Sequence, residues 1–590
     1  MRLNFMLFPL LLKEKLCQAI HAAEISMPDG MSAEVSAAQD TRFGDYQSNV
    51  AMLLAKSAKA NPRELAAKIV ACFDSSGLCE IPTIAGPGFI NFKILEKWLS
   101  SRVEEIAGDA RCAVPFVAQK RTIVLDFSAP NVAKPMHVGH IRSTILGDAL
   151  TRIARFLGHE VITDNHIGDW GTQFGMILLG WKTLRQPEAL IFDPVPELLR
   201  IYREMNAAAK ADPAVLERCK SELVRLQQGD EENLAIWREC VALTKSGLQK
   251  IYDILDVRFD YWLGESYYNE RLSSLVEELL AIGLARESDG AICLFSGEDL
   301  PKEQDPFKVN KDGSWRDNPA IIRKADGGFL YATTDLATLD YRISEWHADE
   351  IWYVVGAPQQ LHFRQIFDAA RRWGKSVVCQ HVAFGSILGE DRKLMKTRSG
   401  DNVQLSDVLD EAVERARAVI DAKNPTMDAG EKDRIARIVG IGAVKYAELS
   451  QHRMTDYVFS WDKMLSLQGN TAPYLQNAYV RIQAIFRKIG EDYQPQPGSV
   501  QLTEPTERAL GIKLLQFAET LPTVLEDFRP NILANYLYEL ATTFHAFYEA
   551  CHVANSEGSV RQSRLCLCAS TAHVLRTGLA LLGIQVPDKM

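Results

Sequence analysis

One stretch limits the folds open to this chain more than any other. A short apolar run, Thr122 to Phe127, leads into Ser128-Ala129-Pro130-Asn131-Val132-Ala133-Lys134-Pro135-Met136-His137-Val138-Gly139-His140 and then into a long amphipathic segment. Ile141, Ile145, Ala149 and Ile153 recur every fourth residue as a helical stripe, and Gly158 stands where that helix would stop. Val161-Ile162-Thr163 reads as the next strand. Strand, helix, strand is the βαβ unit, the mark of a parallel sheet. Two histidines three apart, straddling a glycine at a strand-to-helix turn, suit a nucleoside triphosphate. The glycine lets an adenosine approach the backbone, the helix N-terminus faces the phosphates, and the two imidazoles share one helix face. The alternative for these residues alone is a surface turn with two solvated histidines.

The alternation resumes downstream. Gly328 to Thr333 is expected as a strand before a helix from Asp335. Ile351 to Val355 precedes a helix from about Gln359 to Trp373, and Val377 to Leu388 holds a further strand. Between the halves lies a charged, helical insertion at about 176–255. Before the sheet, residues 1–112 form an α+β unit, with helical patterns at Leu11 to Ala23 and Pro62 to Phe73 and a strand-like end at Ala85 to Phe92. The apolar Leu3 to Leu12 reads as the start of a first helix, since Asn4 and Pro9 interrupt it and Lys13-Glu14-Lys15 follow, unlike a secretory leader. From about Leu405 strand signals fade, and five helical segments within 435–582 predict a bundle, with Gly490 to Pro505 as a long exposed loop. The expected fold class is α/β: a Rossmann-like parallel-sheet catalytic domain at 113–404, an N-terminal α+β domain at 1–112 and a C-terminal all-α helical bundle at 405–590.

A second constellation is Gly389-Glu390-Asp391-Arg392-Lys393-Leu394-Met395-Lys396-Thr397. Two lysines three apart on a loop after a strand could clamp a triphosphate and neutralise the charge that builds as a phosphoryl bond breaks; a solvated basic turn is the plainer reading of the loop by itself. The net charge of −10 excludes a uniformly basic nucleic-acid coat but leaves room for a local basic groove. The eleven cysteines include no CxxC pair, which argues against structural zinc and for a reducing compartment. No segment approaches a membrane span.

HVGH at 137–140 with KLMKT at 393–397 resembles the paired signatures of class I aminoacyl-tRNA synthetases, HIGH and KMSKS. The strings SAPNVAKPMHVGHIRST, IGDWGTQFG, LGES, DGGFLYATTDLA, YVVG with QQLHF, GNTAPYLQ, FGDYQSN and AGPGFIN narrow the resemblance to the bacterial arginyl-tRNA synthetase family and span nearly the whole chain. That resemblance implies a monomeric, cytoplasmic enzyme that forms arginyl-adenylate from ATP and arginine and passes the arginyl group to the 2′-hydroxyl of the terminal adenosine of tRNA(Arg). Arginine activation in this family typically needs bound tRNA. ATP and Mg²⁺ enter as substrate, with no tightly bound cofactor and no resident metal. Two rivals are an acid-activating enzyme of the same fold that ignores tRNA and a non-catalytic relative; GNTAPYLQ opposes the first, and the intact histidines and lysines the second.

By the same resemblance, His137 and His140 contact the triphosphate, Gly139 lies under the adenosine, and Lys134, Lys393 and Lys396 neutralise phosphate charge. The arginine pocket falls on Asn131, Glu265, Tyr331, Asp335 and Gln359. Asp335 takes the guanidinium as a fork with Tyr331 packed on it, while Glu265 and Asn131 bind the polar groups at the other end. Lysine would leave buried acceptors unpaired, so no editing site is needed. The bundle is implied to bind the anticodon through Tyr474, Arg481, Tyr548 and Met590, and the N-terminal unit the tRNA D-loop. For Tyr474 and Tyr548, core packing is the competing explanation. Asn477 stands where the family usually has an aromatic residue, which puts one stacking contact in question.

Overall fold

The computed structural model describes residues 7–590 except 39, 41, 172, 390, 394, 396–402, 491–495 and 497. Lys396 and Thr397 therefore lie outside the described residues.

The central sheet has four strands: β1 (Thr122–Phe127), β2 (Glu160–Asp164), β3 (Glu350–Val354) and β4 (Val378–His381), ordered β4-β3-β1-β2 and all parallel. β1 is buried from Ile123 to Phe127, as a strand covered on both faces must be. The chain runs from β1 outward to β2, then returns to place β3 on the other flank of β1. The carboxyl end of β1 is thus the switch point where such sheets hold ligands. Helix α1 (Val138–Leu157) crosses between β1 and β2 and ends on Gly158 at φ 101°, a left-handed C-cap only glycine takes without strain. α1 is buried on nearly every side because it lies between the sheet and the bundle.

The second half of the sheet holds α2 (Tyr331–Ser344) and α3 (Gln360–Arg372). Here the sequence reading needs correction. Gly328 to Thr333 is not a strand. The strand is Ala320–Arg323, and a turn through Asp326-Gly327-Gly328, with Gly327 at φ 88° and the Asp326 carboxylate accepting from Gly328 N–H, delivers the chain directly into α2. Tyr331 and Asp335 consequently lie one turn apart on a single helix. Within Val377 to Leu388, β4 takes only four residues, and Ile387–Leu388 pairs in parallel with Tyr457–Val458, so strand pairing does recur beyond Leu405.

The insertion is five helices, Gln173–Leu184, Pro187–Phe192, Pro194–Ala211, Pro213–Gln227 and Glu231–Leu255, around an apolar core that includes Phe174, Trp181, Leu198 and Cys240. The C-terminal helices are α4 (Leu405–Lys423), α5 (Ala429–Leu449), α6 (Ala472–Ile489), α7 (Pro505–Asp527), α8 (Asn531–Ala550) and α9 (Gly558–Leu581). α1 packs against α4, α5, α7 and α9. The 490–505 stretch is not exposed throughout: Val500 and Leu502 are buried, because Glu104 accepts from the N–H groups of Gly498 and Val500, and Gln501 exchanges hydrogen bonds with Ser563.

The N-terminal unit is a small antiparallel sheet, in the order Ser36–Ala37, Tyr46–Ser48, Phe89–Phe92 and Thr83–Ala85, against helices Phe8–Ala22, Val50–Ala58 and Pro62–Cys72. Its FGDYQSN string clamps it to α7. Arg508 forks onto Asp45 at 2.8 and 2.7 Å, and Tyr46 donates to Glu519 at 2.6 Å. No helix among the described residues is long and apolar enough to cross a membrane.

Candidate active site

The two histidines do not simply share a helix face. His137 is the N-cap of α1, in extended backbone at φ −112°, ψ 168°, and His140 sits in the first turn. His137 Nδ1 accepts from Gly139 N–H at 3.1 Å, and His140 Nδ1 accepts from His137 N–H at 3.1 Å, a reciprocal capping box built from imidazoles. The rings lie 4.0 Å apart. Because each Nδ1 is an acceptor, each neutral ring carries its proton on Nε2 and keeps an Nε2–H donor. Burial lowers the pKa of both, with the neighbouring Lys134 ammonium adding to the effect on His137; His140 falls to about 3. Both are therefore neutral donors in the free protein. Gly139 also has a local reason: a Cβ there would stand 2.8 Å from the His137 ring. The amides of Val138, Gly139 and His140 already bond to Val403 O, His137 Nδ1 and His137 O, so the helix N-terminus is capped rather than open toward phosphates.

The lysine loop returns to this point. Gly389 N–H donates to Lys393 O, and the Lys393 amide donates to Asp391, forming a tight turn with Lys393 exposed. Where the chain emerges from the loop, Val138 N–H donates to Val403 O and Leu405 N–H to Met136 O, each at 2.9 Å, and His137 pairs with Gln404 in an antiparallel bridge. The Lys134 ammonium lies 5.1 Å from the centre of the Tyr202 ring, contributed by the insertion.

Just beyond the carboxyl ends of β1 and β2, three motifs interlock. Asn131 bridges Gly168 in parallel, and a Cβ on Gly168 would overlap the Asn131 amide. Asp169 accepts from the Ser266 amide at 2.9 Å and its hydroxyl at 2.7 Å, and a Cβ on Gly264 would overlap the Asp169 carboxylate. This clasp places Glu265, whose amide donates to Ile167 O. Burial raises the Glu265 pKa to about 7; His166 opposes the shift, and the Asp169 and Asp335 charges add to it. Asp335 accepts from His362 Nε2 at 2.5 Å. Tyr331 is 68% exposed, one turn before Asp335, with its hydroxyl under the influence of Glu265. Gln359 is exposed in the 357–359 turn that leads to His362. Clustered carboxylates beside an exposed aromatic ring can receive a cation, and a planar guanidinium suits them best.

α2 is held by Arg342. Its fully buried guanidinium bonds to Asp126 at the end of β1 (2.8 Å) and Asp164 at the end of β2 (2.9 Å). Tyr331, Asp335 and Arg342 recur at helical spacing on one face, so this anchor sets the orientation of the other two. α1 is held similarly. Arg142, in the turn after His140, forms a wholly buried pair with Glu448 of α5 and donates to Thr455 O at 3.0 Å. Sequence reading assigned no role to His362, Asp169, Arg342 or Arg142. His362, Asp169 and Arg142 fall inside the quoted strings QQLHF, IGDWGTQFG and SAPNVAKPMHVGHIRST, which was the available signal; Arg342 lies outside every quoted string.

In the bundle, the Tyr474 hydroxyl meets His545 Nδ1 at 2.8 Å, and the Arg481 guanidinium lies 5.4 Å from the centre of the 37%-exposed Tyr548 ring. Tyr474 is half-buried against Tyr538, so packing accounts for part of that ring. Met590 is half-buried against apolar residues of α4 and α5, including Ile420 and Ile435. Asn477 is half-buried on α6. Among the described residues no group of three or more His, Cys, Asp or Glu side chains could hold a metal.

Comparisons with known proteins bear on the family and the fold. Residues 104–461 match the family model for tRNA synthetases class I (R), catalytic domain, residues 475–590 the DALR anticodon binding domain, and residues 10–94 the arginyl tRNA synthetase N terminal domain. The arginine--tRNA ligase of Hahella chejuensis is 43% identical over 98% of this chain and 99% of its own length. That of Thermobifida fusca is 45% identical over 93% and 94%. Among solved structures, the arginyl-tRNA synthetase of Plasmodium falciparum superposes with a TM-score of 0.82 at 28% identity, covering all of both chains. That of Thermus thermophilus gives 0.82 at 25% identity, over 99% of this chain and 100% of its own. With three family models in chain order and relatives of this identity along nearly its whole length, the chain belongs to the arginyl-tRNA synthetase family of class I, enzymes that ligate arginine to tRNA.

Proposed function

We propose that the chain joins arginine to ATP as arginyl-adenylate, releasing pyrophosphate, and then moves the arginyl group to the 2′-hydroxyl of the terminal adenosine of tRNA(Arg), releasing AMP. The reading is carried by one observation: the histidine-capped start of α1 and the segment leaving the lysine loop are hydrogen-bonded to each other, in a chain whose β1 and β2 ends carry Asn131 and the Asp169 clasp that sets Glu265 near Asp335. The nucleophile in the first step is the substrate's own carboxylate, so the protein supplies position and charge stabilisation, and no enzyme base is needed. His137 and His140 offer Nε2–H donors to the triphosphate. For the Gly139 amide to join them, the His137 ring must leave it. Lys134, Lys393 and Lys396 supply the cations, and Mg²⁺ arrives with ATP, held by phosphates and water. Asp335 receives the guanidinium, Tyr331 covers it, and Glu265, Asn131 and Gln359 hold the amino-acid end.

Residues 405–590 read the anticodon, through Tyr474, Arg481, Tyr548 and Met590, and residues 1–112 meet the D-loop. The catalytic unit is 113–404. The enzyme works as a monomer in the cytoplasm. The test is pyrophosphate exchange with each amino acid in turn, with and without tRNA, followed by charging of total tRNA. Exchange with arginine alone, dependent on tRNA, is the expected result. Exchange at equal rate without tRNA, or with another amino acid, would overturn the reading.

A further inference from the structure

We propose that His362 is a positioning residue for substrate recognition: its imidazole fixes the plane in which Asp335 offers its carboxylate oxygens to the arginine guanidinium. This rests on the assignment of Asp335 as the guanidinium partner. The two side chains are 26% and 21% exposed, and His362 Nε2 donates to Asp335 Oδ2 at 2.5 Å. His362 lies in the first turn of α3, and Asp335 in the second turn of α2, so the bond also ties two helices together at the mouth of the site.

An aspartate on a helix turns easily about its terminal torsion, which is broad and nearly two-fold. A guanidinium fork requires two parallel N–H···O bonds, hence a carboxylate already held in one plane. One donor on Oδ2 provides that hold and leaves a lone pair on Oδ2 and two on Oδ1, enough for both arms of the fork.

The imidazole itself is mounted rigidly. Its ring stands edge-on to Phe363, at 5.4 Å and 73°, and Phe363 lies against Tyr353 at 5.0 Å and against His381 at 4.7 Å. His381 Nε2 in turn donates to Val355 O at 2.9 Å, at the end of β3. A chain of rings therefore refers the orientation of Asp335 to the central sheet. Pre-organisation of this kind spares the substrate the ordering of its partner.

The test compares full-length His362→Leu, His362→Gln, His362→Asn and Asp335→Asn in pyrophosphate exchange with tRNA present, reading KM for arginine, KM for ATP and kcat, with melting temperature alongside. His362→Leu is expected to raise the arginine KM by about 10- to 100-fold, the effect of losing a hydrogen bond to a charged group, and to change the ATP KM by less than about 2-fold. Glutamine, whose amide reaches as far as Nε2, is expected to return the arginine KM to within about five-fold of the parent, whereas the shorter asparagine does not. An unchanged arginine KM in His362→Leu overturns the proposal. So does a parallel rise of both KM values with a fallen melting temperature, the signature of a merely structural role. If His362→Leu does not fold, the Gln–Asn contrast decides, and equal arginine KM values for that pair overturn it. Asp335→Asn separates the two levels. An unaltered arginine KM there removes the underlying assignment, whereas a large rise there without one in His362→Leu removes only the role of His362.

Discussion

Glu265 should make arginine use depend on pH in a way that ATP use does not. Burial, with Asp169 and Asp335 close by, holds its carboxyl at about 7 in the free protein. Only the ionised form can accept a cation, so below about pH 7 arginine must displace a proton in order to bind. Treating binding as limited to the ionised fraction, the arginine KM rises about 10-fold between about pH 8.5 and about pH 6. His140, at about 3, does not titrate in this interval, and His137, lowered by burial, is common to the parent and Glu265→Gln and drops out of their comparison. The linkage to folding has a definite sign. Raised above its unfolded value, Glu265 contributes stability below the unfolded pKa of about 4.5 and loses it as the pH rises through about 7. Arginine binds the form that lacks the proton, so saturating arginine should raise the melting temperature more at pH 8.5 than at pH 6. The assay is pyrophosphate exchange with tRNA at saturating ATP across this range, for the parent and Glu265→Gln. A flat arginine KM in the parent, or the same rise in Glu265→Gln, would refute the reasoning.

Three further outcomes are expected. His140→Ala should slow adenylate formation by about 10- to 1000-fold through loss of an Nε2–H donor, and single-turnover kinetics at parental speed would remove that role. Arg342→Met should destabilise the chain by about 3–5 kcal/mol, because Asp126 and Asp164 are left buried without their guanidinium; an unmoved denaturant midpoint would show that the pair is not the anchor of α2. Gly264→Ala should push Asp169 off Ser266 and raise the arginine KM while leaving the ATP KM in place, and equal KM values in variant and parent would detach Glu265 from that clasp.

The βαβ core was legible because its signals are local: an unbroken apolar run for β1, a four-residue stripe for α1 and Gly158 at the stop. The start of α2 was not, because the β-prone string Phe329-Leu330-Tyr331 looks like a strand until the Asp326-Gly327-Gly328 turn is seen to feed a helix. The burial of Val500 and Leu502 was hidden for another reason: their segment is pinned by Glu104, from a distant part of the chain. At the site, residue types and order pointed to the histidines, lysines and carboxylates. What order could not convey was how they are held. The imidazole capping box uses residues outside the usual Ser, Thr, Asp and Asn set, and the Asp335–His362 bond joins two helices whose approach only the fold decides.

The Arg142–Glu448 pair bears on how this molecule can be divided. Arg142 belongs to the signature helix, yet its counter-ion comes from α5, beyond the catalytic sheet, and both side chains are almost wholly removed from solvent. A fragment cut before Ala429 would keep the guanidinium and discard its carboxylate, uncovering an apolar flank of α1 with a stranded charge within it. The parallel sheet with its helices is therefore not a module that detaches before α5. Both residues lie within the 104–461 segment that matches the class I catalytic domain, so a catalytic fragment has to carry α5 if this charge is to stay paired.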